Sequence, residues 1–176
     1  KQQGWYDPNL LNKLEQASDY AAQYQDEHIF VGKSSSLVDI LKEIHQALNE
    51  NQPEFYRISQ QRELIAQEFL IFENSGTDDL EDVVDSQFSK TRLSLQMPAR
   101  DAIEYTRFLA HFEQKLNSIF AGQVEVNMTG VVTLLFRAVE ALSISMAESY
   151  IIALVIISIL MILFIGDIRL GLISLI

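Results

Sequence analysis

The chain has 176 residues and a formal net charge of −11, from 24 acidic and 13 basic residues. An acidic balance argues against nucleic acid as a partner and against docking on anionic lipid, because both carry negative charge. The sequence has no cysteine, which excludes disulfides and the usual thiolate metal sites. After Glu148 the only charges are Asp167 and Arg169, which cancel, so residues 1–148 carry the whole negative balance.

Two amphipathic helices are predicted in the first fifty residues. Asp7 as N-cap and Pro8 at the first helical position predict a helix that runs to about Gln25. Ser36, followed three residues later by Asp39, is a variant of the capping box and begins a helix over residues 36–49. Its apolar residues recur at helical spacing: Leu37, Ile40, Leu41, Ile44 and Leu48. Between the two helices, residues 28–31 predict a short strand that ends at Gly32.

A third helix is predicted to begin near Ser59. Its last turns, at residues 69–72, are apolar on more than one face, which indicates burial or a contact surface, and we expect burial in the core. We expect Phe108 and Phe112, on the following helix, to belong to the core as well. The Asn-Ser-Gly sequence at residues 74–76 ends the third helix.

The second half of the soluble region alternates between strand and helix patterns. Polar and apolar residues alternate over 92–97 and again over 124–128, as in strands with one buried face. A helical pattern over 101–119 separates them, with Asp101 and Glu104 as a capping box. Residues 83–84 are predicted to pair with the first strand as a hairpin.

These segments predict the fold class. Strand 90–97, helix 101–119 and strand 123–129 form a β-α-β unit, whose crossover should be right-handed. With the first strand and the helix over 36–49, this predicts an α+β, ferredoxin-like (split β-α-β) domain over residues 1–130.

Residues 149–165 are an uncharged, apolar run without proline or glycine. Adding residues 145–147 brings it to the about 20 residues that a membrane-spanning helix needs. The alternative is a helix buried in a soluble core, but so long an uncharged run is uncommon there. No proline or glycine occurs between Val131 and Ile165, so residues 131–148 are predicted to be a connecting helix continuous with the span.

The end of the sequence predicts a short turn and a second span. Residues 166–169 form the turn, and residues 170–176 are apolar and read as the start of the next membrane helix. We take the turn as cytoplasmic and residues 1–148 as extracytoplasmic, because Lys and Arg in short loops stay cytoplasmic and long domains translocate largely regardless of charge. The sequence begins at Lys1 without a signal pattern, so we expect a fragment of a larger, multi-pass membrane protein.

Metal and calcium sites are not predicted. The histidines show no metal-ligand spacing: His28, His45 and His111. His45 and His111 fall on amphipathic helices, where we expect solvated or locally hydrogen-bonded side chains. The acidic residues between Asp78 and Asp85 lack the alternation, the central glycine and the terminal glutamate of an EF-hand, which favours a solvated acidic turn.

Enzyme chemistry is not predicted either. Gly32-Lys33-Ser34 resembles the end of a phosphate loop but lacks its upstream glycine. Glu148, the ionisable residue beside the span, reads as an interfacial carboxylate. We therefore expect a protein that is not an enzyme, and we assign no catalytic, cofactor-binding or metal-binding residue.

The order of these features resembles the RND exporter superfamily, in its MMPL-like, hydrophobe/amphiphile-efflux branch. An α+β domain ending in Val126-Asn127-Met128-Thr129-Gly130 precedes a long helix and a turn with Arg169-Leu170-Gly171. Three further stretches are similar to that branch: Asp7-Pro8, residues 36–42, and residues 69–73 with 76–80. The turn departs from the commoner Arg-Ser type, since Gly166-Asp167 stands there instead.

The resemblance implies one porter-type extracytoplasmic loop and the following span of a proton-driven exporter in the inner (plasma) membrane. It implies as partners membrane lipids, a hydrophobic or amphiphilic substrate and the remaining spans of the same chain, with a homo-oligomer left open. The proton-relay acids of such exporters lie on a later span, so none is assigned here. Two alternatives stay open: the extracytoplasmic sensor domain of a membrane-anchored receptor, and an accessory subunit without a transport role.

Overall fold

The computed structural model describes residues 3–26, 29–74, 76, 80–98 and 102–165. In these residues there are five α-helices: α1 Pro8–Ala22, α2 Leu37–Leu48, α3 Arg62–Glu73, α4 Ala102–Phe120 and α5 Val131–Ile165. Strands β1 (Lys33–Ser35) and β2 (Ser94–Gln96) form a two-stranded antiparallel sheet. The fold is therefore α+β, as predicted, and mostly helical. The chain divides into two compact units, Lys1–Asn127 and Met128–Ile176.

The two helix starts predicted in the first fifty residues are confirmed, whereas the third helix, predicted from about Ser59, begins at Arg62. The Asp7 side chain accepts a hydrogen bond of 2.9 Å from the backbone N–H of Asn9, and Pro8 is the first residue of α1. Ser36 and Asp39 form the predicted capping box, in which the Ser36 N–H donates to Asp39 Oδ2 at 2.7 Å. Such caps satisfy N–H groups that have no partner inside the helix. They depend on neighbouring residues alone, which is why a sequence pattern locates them.

The predicted strand at residues 28–31 is reduced to one isolated antiparallel bridge, between Phe30 and Gln25, and His28 lies outside the described residues. Ile29 and Val31 are buried, but their backbone folds back on the turn that follows α1. The Ile29 N–H donates to Asp26 Oδ1 at 2.8 Å, and the Val31 N–H donates to the Tyr24 carbonyl at 3.3 Å. The strand forms instead at the polar residues of β1, because strand formation depends on an available partner more than on local composition.

The predicted strand at residues 124–128 is wrong, since the structure has no strand there. The side chains alternate as predicted, with Val124, Val126 and Met128 half-buried and the two residues between them exposed. The described part of the chain provides no strand that pairs with them. The predicted β-α-β unit is therefore not formed there, and a ferredoxin-like fold is not confirmed. Alternation reports one-sided burial, whereas a strand also needs a neighbour for its backbone N–H and C=O groups.

The predicted hairpin is present in a reduced form. Val84 and Thr91 form an isolated antiparallel bridge, and the Arg92 N–H donates to the Val83 carbonyl at 2.8 Å. Asp85 holds the turn between them, and the Phe88 N–H donates to the Asp85 carbonyl at 2.9 Å. The hairpin thereby directs the Phe88 ring inward, where it is buried.

Aromatic rings form much of the core of unit Lys1–Asn127. The ring centroid of Phe88 lies 4.7 Å from that of Tyr6 and 5.0 Å from that of Phe69. A second cluster joins α4 to α1 and to the turn after it. The Phe112 centroid lies 6.3 Å from that of Tyr20 on α1, and the Phe108 centroid lies 4.8 Å from that of Tyr24 in the turn. These contacts confirm the predicted burial of Phe69, Phe108 and Phe112.

The end of α3 differs from the prediction. Leu70 and Ile71 are 58% and 53% exposed, and Phe72 is half-buried. The buried face of α3 is set by Ile65 and Phe69, four residues apart. Since successive residues of an α-helix are about 100° apart, the two residues after Phe69 turn away from that face. The apolar run thus extends beyond the surface that α3 buries.

Asp85 provides a pH-dependent test of the hairpin. Its carboxylate accepts three hydrogen bonds of 2.7 Å, from the Ser89 N–H, the Ser89 hydroxyl and the Lys90 N–H. Burial opposes ionisation of Asp85, but these hydrogen bonds outweigh burial and lower its pKa. We expect Asp85→Asn to lower the free energy of unfolding by about 1 kcal/mol near neutral pH, because charge-assisted hydrogen bonds are lost.

The sign of the pH dependence follows from the lowered pKa. The contribution of the Asp85 carboxylate is complete above the pKa of the unfolded chain, about 4 for an aspartate, and is lost as the pH falls through the lower folded value. Urea unfolding should therefore separate Asp85→Asn from the unmodified chain at pH 7 and bring the two together at strongly acidic pH. The exposed Asp82→Asn is the matched control; an equal loss in both variants would contradict the role of the turn.

Candidate functional site

A cleft of about 790 Å³ lies between α1, α2, α3 and the segment of residues 55–61. Its volume falls in the range of small-molecule sites, roughly 300–1,000 Å³. The lining combines apolar, aromatic and polar side chains. The cleft lies wholly within unit Lys1–Asn127.

The most unusual feature of this cleft is a buried pair of ionisable residues among its lining residues. His45 on α2 and Glu68 on α3 are 7% and 1% exposed. His45 Nδ1 lies 2.5 Å from Glu68 Oε1. The other carboxylate oxygen, Oε2, is buried and has no hydrogen-bond partner among the described residues. A buried polar atom without a partner is costly and rare in folded proteins.

Helix packing brings these two residues together. Glu68 lies beside Phe69 and three residues after Ile65, so it belongs to the buried face of α3. His45 follows the buried residues Leu41 and Ile44 on α2. Since α2 and α3 pack together, the two polar groups meet between them.

The expectation of a solvated or locally bonded His45 is wrong, since its partner lies 23 residues away in sequence. His111, by contrast, is exposed as expected. The sequence motifs do not single out Glu68, although an acid within the apolar pattern of Ile65 and Phe69 is a usable signal of a buried charge.

The aromatic side chains of the cleft contact the His45 ring and two cationic side chains, and only the latter two contacts are of the cation–π kind. The Phe55 ring lies 5.8 Å from the His45 ring, and the Arg57 guanidinium lies 5.7 Å from the Phe55 centroid. The Lys42 ammonium lies 5.4 Å from the Tyr56 centroid. The distances from Arg57 and Lys42 fall within the range of cation–π contacts.

Lys42 also pairs with Glu15, which lines the cleft. Burial opposes the positive charge of Lys42, but the hydrogen bond and the charge of Glu15 outweigh it and raise the Lys42 pKa. The Lys42 ammonium therefore stays charged and is paired with the Glu15 carboxylate. Within the described ranges, no group of three or more His, Asp or Glu side chains is arranged to hold a metal ion.

The second feature is α5. Its segment Ala141–Phe164 is long and apolar enough to cross a membrane, and none of it is buried. This segment begins eight residues before the predicted span and includes Glu148, roughly 10 Å along the helix from Ala141 at 1.5 Å per residue. The predicted turn (166–169) and second span (170–176) lie outside the described residues, as do residues 77–79 of the acidic loop and Asp101 of the predicted capping box.

Three of the four serines of this segment donate hydrogen bonds within the helix. The hydroxyls of Ser143, Ser149 and Ser158 donate to the carbonyls four residues earlier, at 2.8, 2.8 and 2.5 Å. A polar group in the hydrocarbon of a bilayer must find its partner inside the protein, because no water is available there. These three serines are thus compatible with a membrane-spanning helix.

Comparison of the chain with protein-family models, with curated proteins and with solved structures gives no match. The class of protein is therefore defined by the features above. It is a mostly helical α+β unit with a cleft lined in part by His45 and Glu68, followed in the chain by a helix long and apolar enough to cross a membrane.

Proposed function

We propose that this chain is part of a proton-driven exporter of the RND superfamily, in its MMPL-like, hydrophobe/amphiphile-efflux branch. Such an exporter would move lipids or other hydrophobic compounds across the cell envelope. The observation that carries the proposal is α5, which continues as one helix from Val131 to Ile165 and contains the candidate span Ala141–Phe164. The order of sequence features that resembles this family supports it further.

The length of α5 suggests its role. A helix of 35 residues extends for roughly 50 Å at 1.5 Å per residue, whereas the hydrocarbon core of a bilayer is only about 30 Å thick. About ten residues precede the candidate span, so the helix would extend beyond the bilayer. A continuous helix moves as a rigid body, and movement of the membrane bundle during proton transfer would be transmitted along it.

The proposal includes a multi-pass inner-membrane protein whose residues 1–148 are extracytoplasmic. Its partners would be membrane lipids, the hydrophobic substrate and the other spans of the same chain. In the family's porter-type, ferredoxin-like domain, the alternating residues 124–128 would pair with a strand from outside this chain. Such pairing would use the one-sided burial that these side chains already have.

Breaking the rigidity of α5 tests the transport role. Two glycines inserted after Ile144, between Ser143 and Ser145, should abolish most efflux of a fluorescent hydrophobic dye, because glycine weakens a helix by about 1 kcal/mol per residue relative to alanine. Two alanines inserted at the same point change the helix length and register equally but keep it stiff. We expect the alanine variant to retain clearly more efflux; equal efflux in both, or no loss in either, would contradict the rigid-coupling mechanism.

A sensor domain of a membrane-anchored receptor is the second candidate. The observation that favours it is the cleft beside His45 and Glu68, which is of ligand size and belongs to a mostly helical unit. The two candidates differ in what the complete reading frame encodes. About twelve hydrophobic spans in two similar halves would support the exporter, whereas a cytoplasmic signalling domain after one further span would support the sensor.

A further inference from the structure

We infer that the cleft between α1, α2 and α3 binds a small organic cation that donates an N–H hydrogen bond to Glu68 Oε2. This inference does not rest on the transport proposal, since an exporter domain and a sensor domain could both use such a site. It starts from the one buried side-chain oxygen that lacks a partner in the described part of the chain.

The unpaired oxygen points to a hydrogen-bond donor. A carboxylate has no donor of its own when ionised, and leaving one of its oxygens buried without a partner is costly, the more so for a charged group. His45 satisfies Oε1 at 2.5 Å but does not reach Oε2. A bound N–H group would complete the coordination of Glu68 and recover that cost.

A cation is a better donor here than a neutral alcohol. Hydrogen bonds between ionised partners are roughly twice as strong as neutral ones. The chain has 24 acidic and 13 basic residues, so its long-range field attracts cations and repels anions. Arg57, which opposes a cation at the cleft, is exposed, so solvent and salt screen its charge.

The cleft walls fit the rest of such a ligand. Phe55 and Tyr56 provide aromatic faces, and Leu48 and Leu64 provide apolar contacts for a short carbon chain. Neighbouring atoms cover Glu68 Oε2, so a ligand reaches it only after a small side-chain movement around Glu68. Such side-chain movements are common when ligands and partners bind. The site would therefore select a compact ammonium group on an apolar body.

Four ligands with the same carbon chain separate the contributions of charge and of the N–H group. We would titrate n-butylamine, 1-butanol, butyltrimethylammonium and pentanoate into the 176-residue chain in zwitterionic phosphatidylcholine nanodiscs, and follow the methyl NMR signals of Leu48 and Leu64. The four-carbon chain limits partition into the lipid. We expect n-butylamine to bind at least about tenfold more tightly than the other three, because it alone has both charge and N–H donors.

Variants of Glu68 and of the cleft mouth identify the site. Glu68→Gln should weaken n-butylamine binding by about tenfold, while Glu63→Gln, an exposed acid on the same helix, should change it less than about twofold. Leu48 lines the cleft and is 49% exposed. Leu48→Arg adds a positive charge there, beside that of Arg57, and should also weaken binding of n-butylamine. Leu70→Arg is its control, because Leu70 is also exposed (58%) and lies on α3 outside the cleft.

Three outcomes would overturn the inference. The first is that 1-butanol or butyltrimethylammonium binds as tightly as n-butylamine. The second is that Glu68→Gln and Leu48→Arg both bind n-butylamine as tightly as the unmodified chain does. The third is the absence of any saturable shift at Leu48 and Leu64. In the last case the unpaired oxygen would be satisfied by water alone. Leu48→Arg changes an exposed residue, so it remains informative even if Glu68→Gln does not fold.

Discussion

Replacement of His45 by leucine is expected to lower the free energy of unfolding of unit Lys1–Asn127 by about 3–5 kcal/mol. The physical reason is that Glu68 is 1% exposed and its carboxylate would keep no partner at either oxygen among the described residues. Taking a charge out of water without a compensating partner is among the largest single-residue penalties in a folded protein.

The double variant His45→Leu/Glu68→Leu should restore most of that loss. Removing both partners eliminates the buried charge, and apolar residues of similar volume can replace a buried ion pair at little cost or even with a gain of about 1–4 kcal/mol. Trp5, the single tryptophan of the chain, is buried in this unit and reports its unfolding in urea by fluorescence. The exposed His111→Leu is the matched control and should change stability by less than about 0.5 kcal/mol.

The comparison of single and double variants isolates the pair. If His45→Leu and the double variant were equally unstable, the loss would come from packing around the imidazole, such as its contact with Phe55. A double variant more stable than the single one by several kcal/mol would show that the unpaired carboxylate dominates. That result would also support the assignment of Glu68 as a buried hydrogen-bond acceptor whose Oε2 can bind a ligand's donor.

The His45–Glu68 pair illustrates what the sequence could and could not predict. Caps such as Asp7 and Ser36 join residues two or three positions apart, so their spacing predicts them directly. His45 and Glu68 are 23 residues apart, and their contact depends on how α2 packs against α3. The helical pattern alone places each residue on a face but does not say which two faces meet.

The strands show the same limit in the backbone. Residues 124–128 have the side-chain alternation of a strand, and their burial alternates accordingly. Whether they pair is decided by another segment, and the described residues supply none. In contrast, β1 is polar and has little strand character of its own, yet it pairs with β2 because Gly32 and Gln96 align their backbones through an N–H···O bond of 2.8 Å.

Two arginines in the middle of the candidate span are expected to abolish its membrane integration. Leu154 and Ile157 lie near the centre of Ala141–Phe164, and both are exposed. Each arginine at a helix centre costs about 2.5–3.5 kcal/mol of apparent insertion free energy, so the double variant should lose about 6 kcal/mol or more. The matched control, Val131→Arg/Leu134→Arg, has the same spacing on α5 but lies outside the segment and should leave integration unchanged.

Glycosylation in microsomes measures the two outcomes directly. The sequence Asn127-Met128-Thr129 is an acceptor for N-linked glycosylation, and Asn127 is exposed. With a cleavable leader before Lys1 and a second acceptor site after Ile176, a chain stopped by α5 should carry one glycan. The Leu154→Arg/Ile157→Arg chain should pass through the membrane and carry two.

The number of glycans tests the span independently of any transport activity. One glycan on the Leu154→Arg/Ile157→Arg chain would mean that α5 is not what stops translocation. Two glycans on the unmodified chain would contradict the spanning role of Ala141–Phe164 itself, and the exporter and sensor proposals would both fail. One glycan on the unmodified chain and on the Val131→Arg/Leu134→Arg control, against two on the Leu154→Arg/Ile157→Arg chain, would place the stop within the apolar segment, since the Val131→Arg/Leu134→Arg control carries the same added charge as the Leu154→Arg/Ile157→Arg chain.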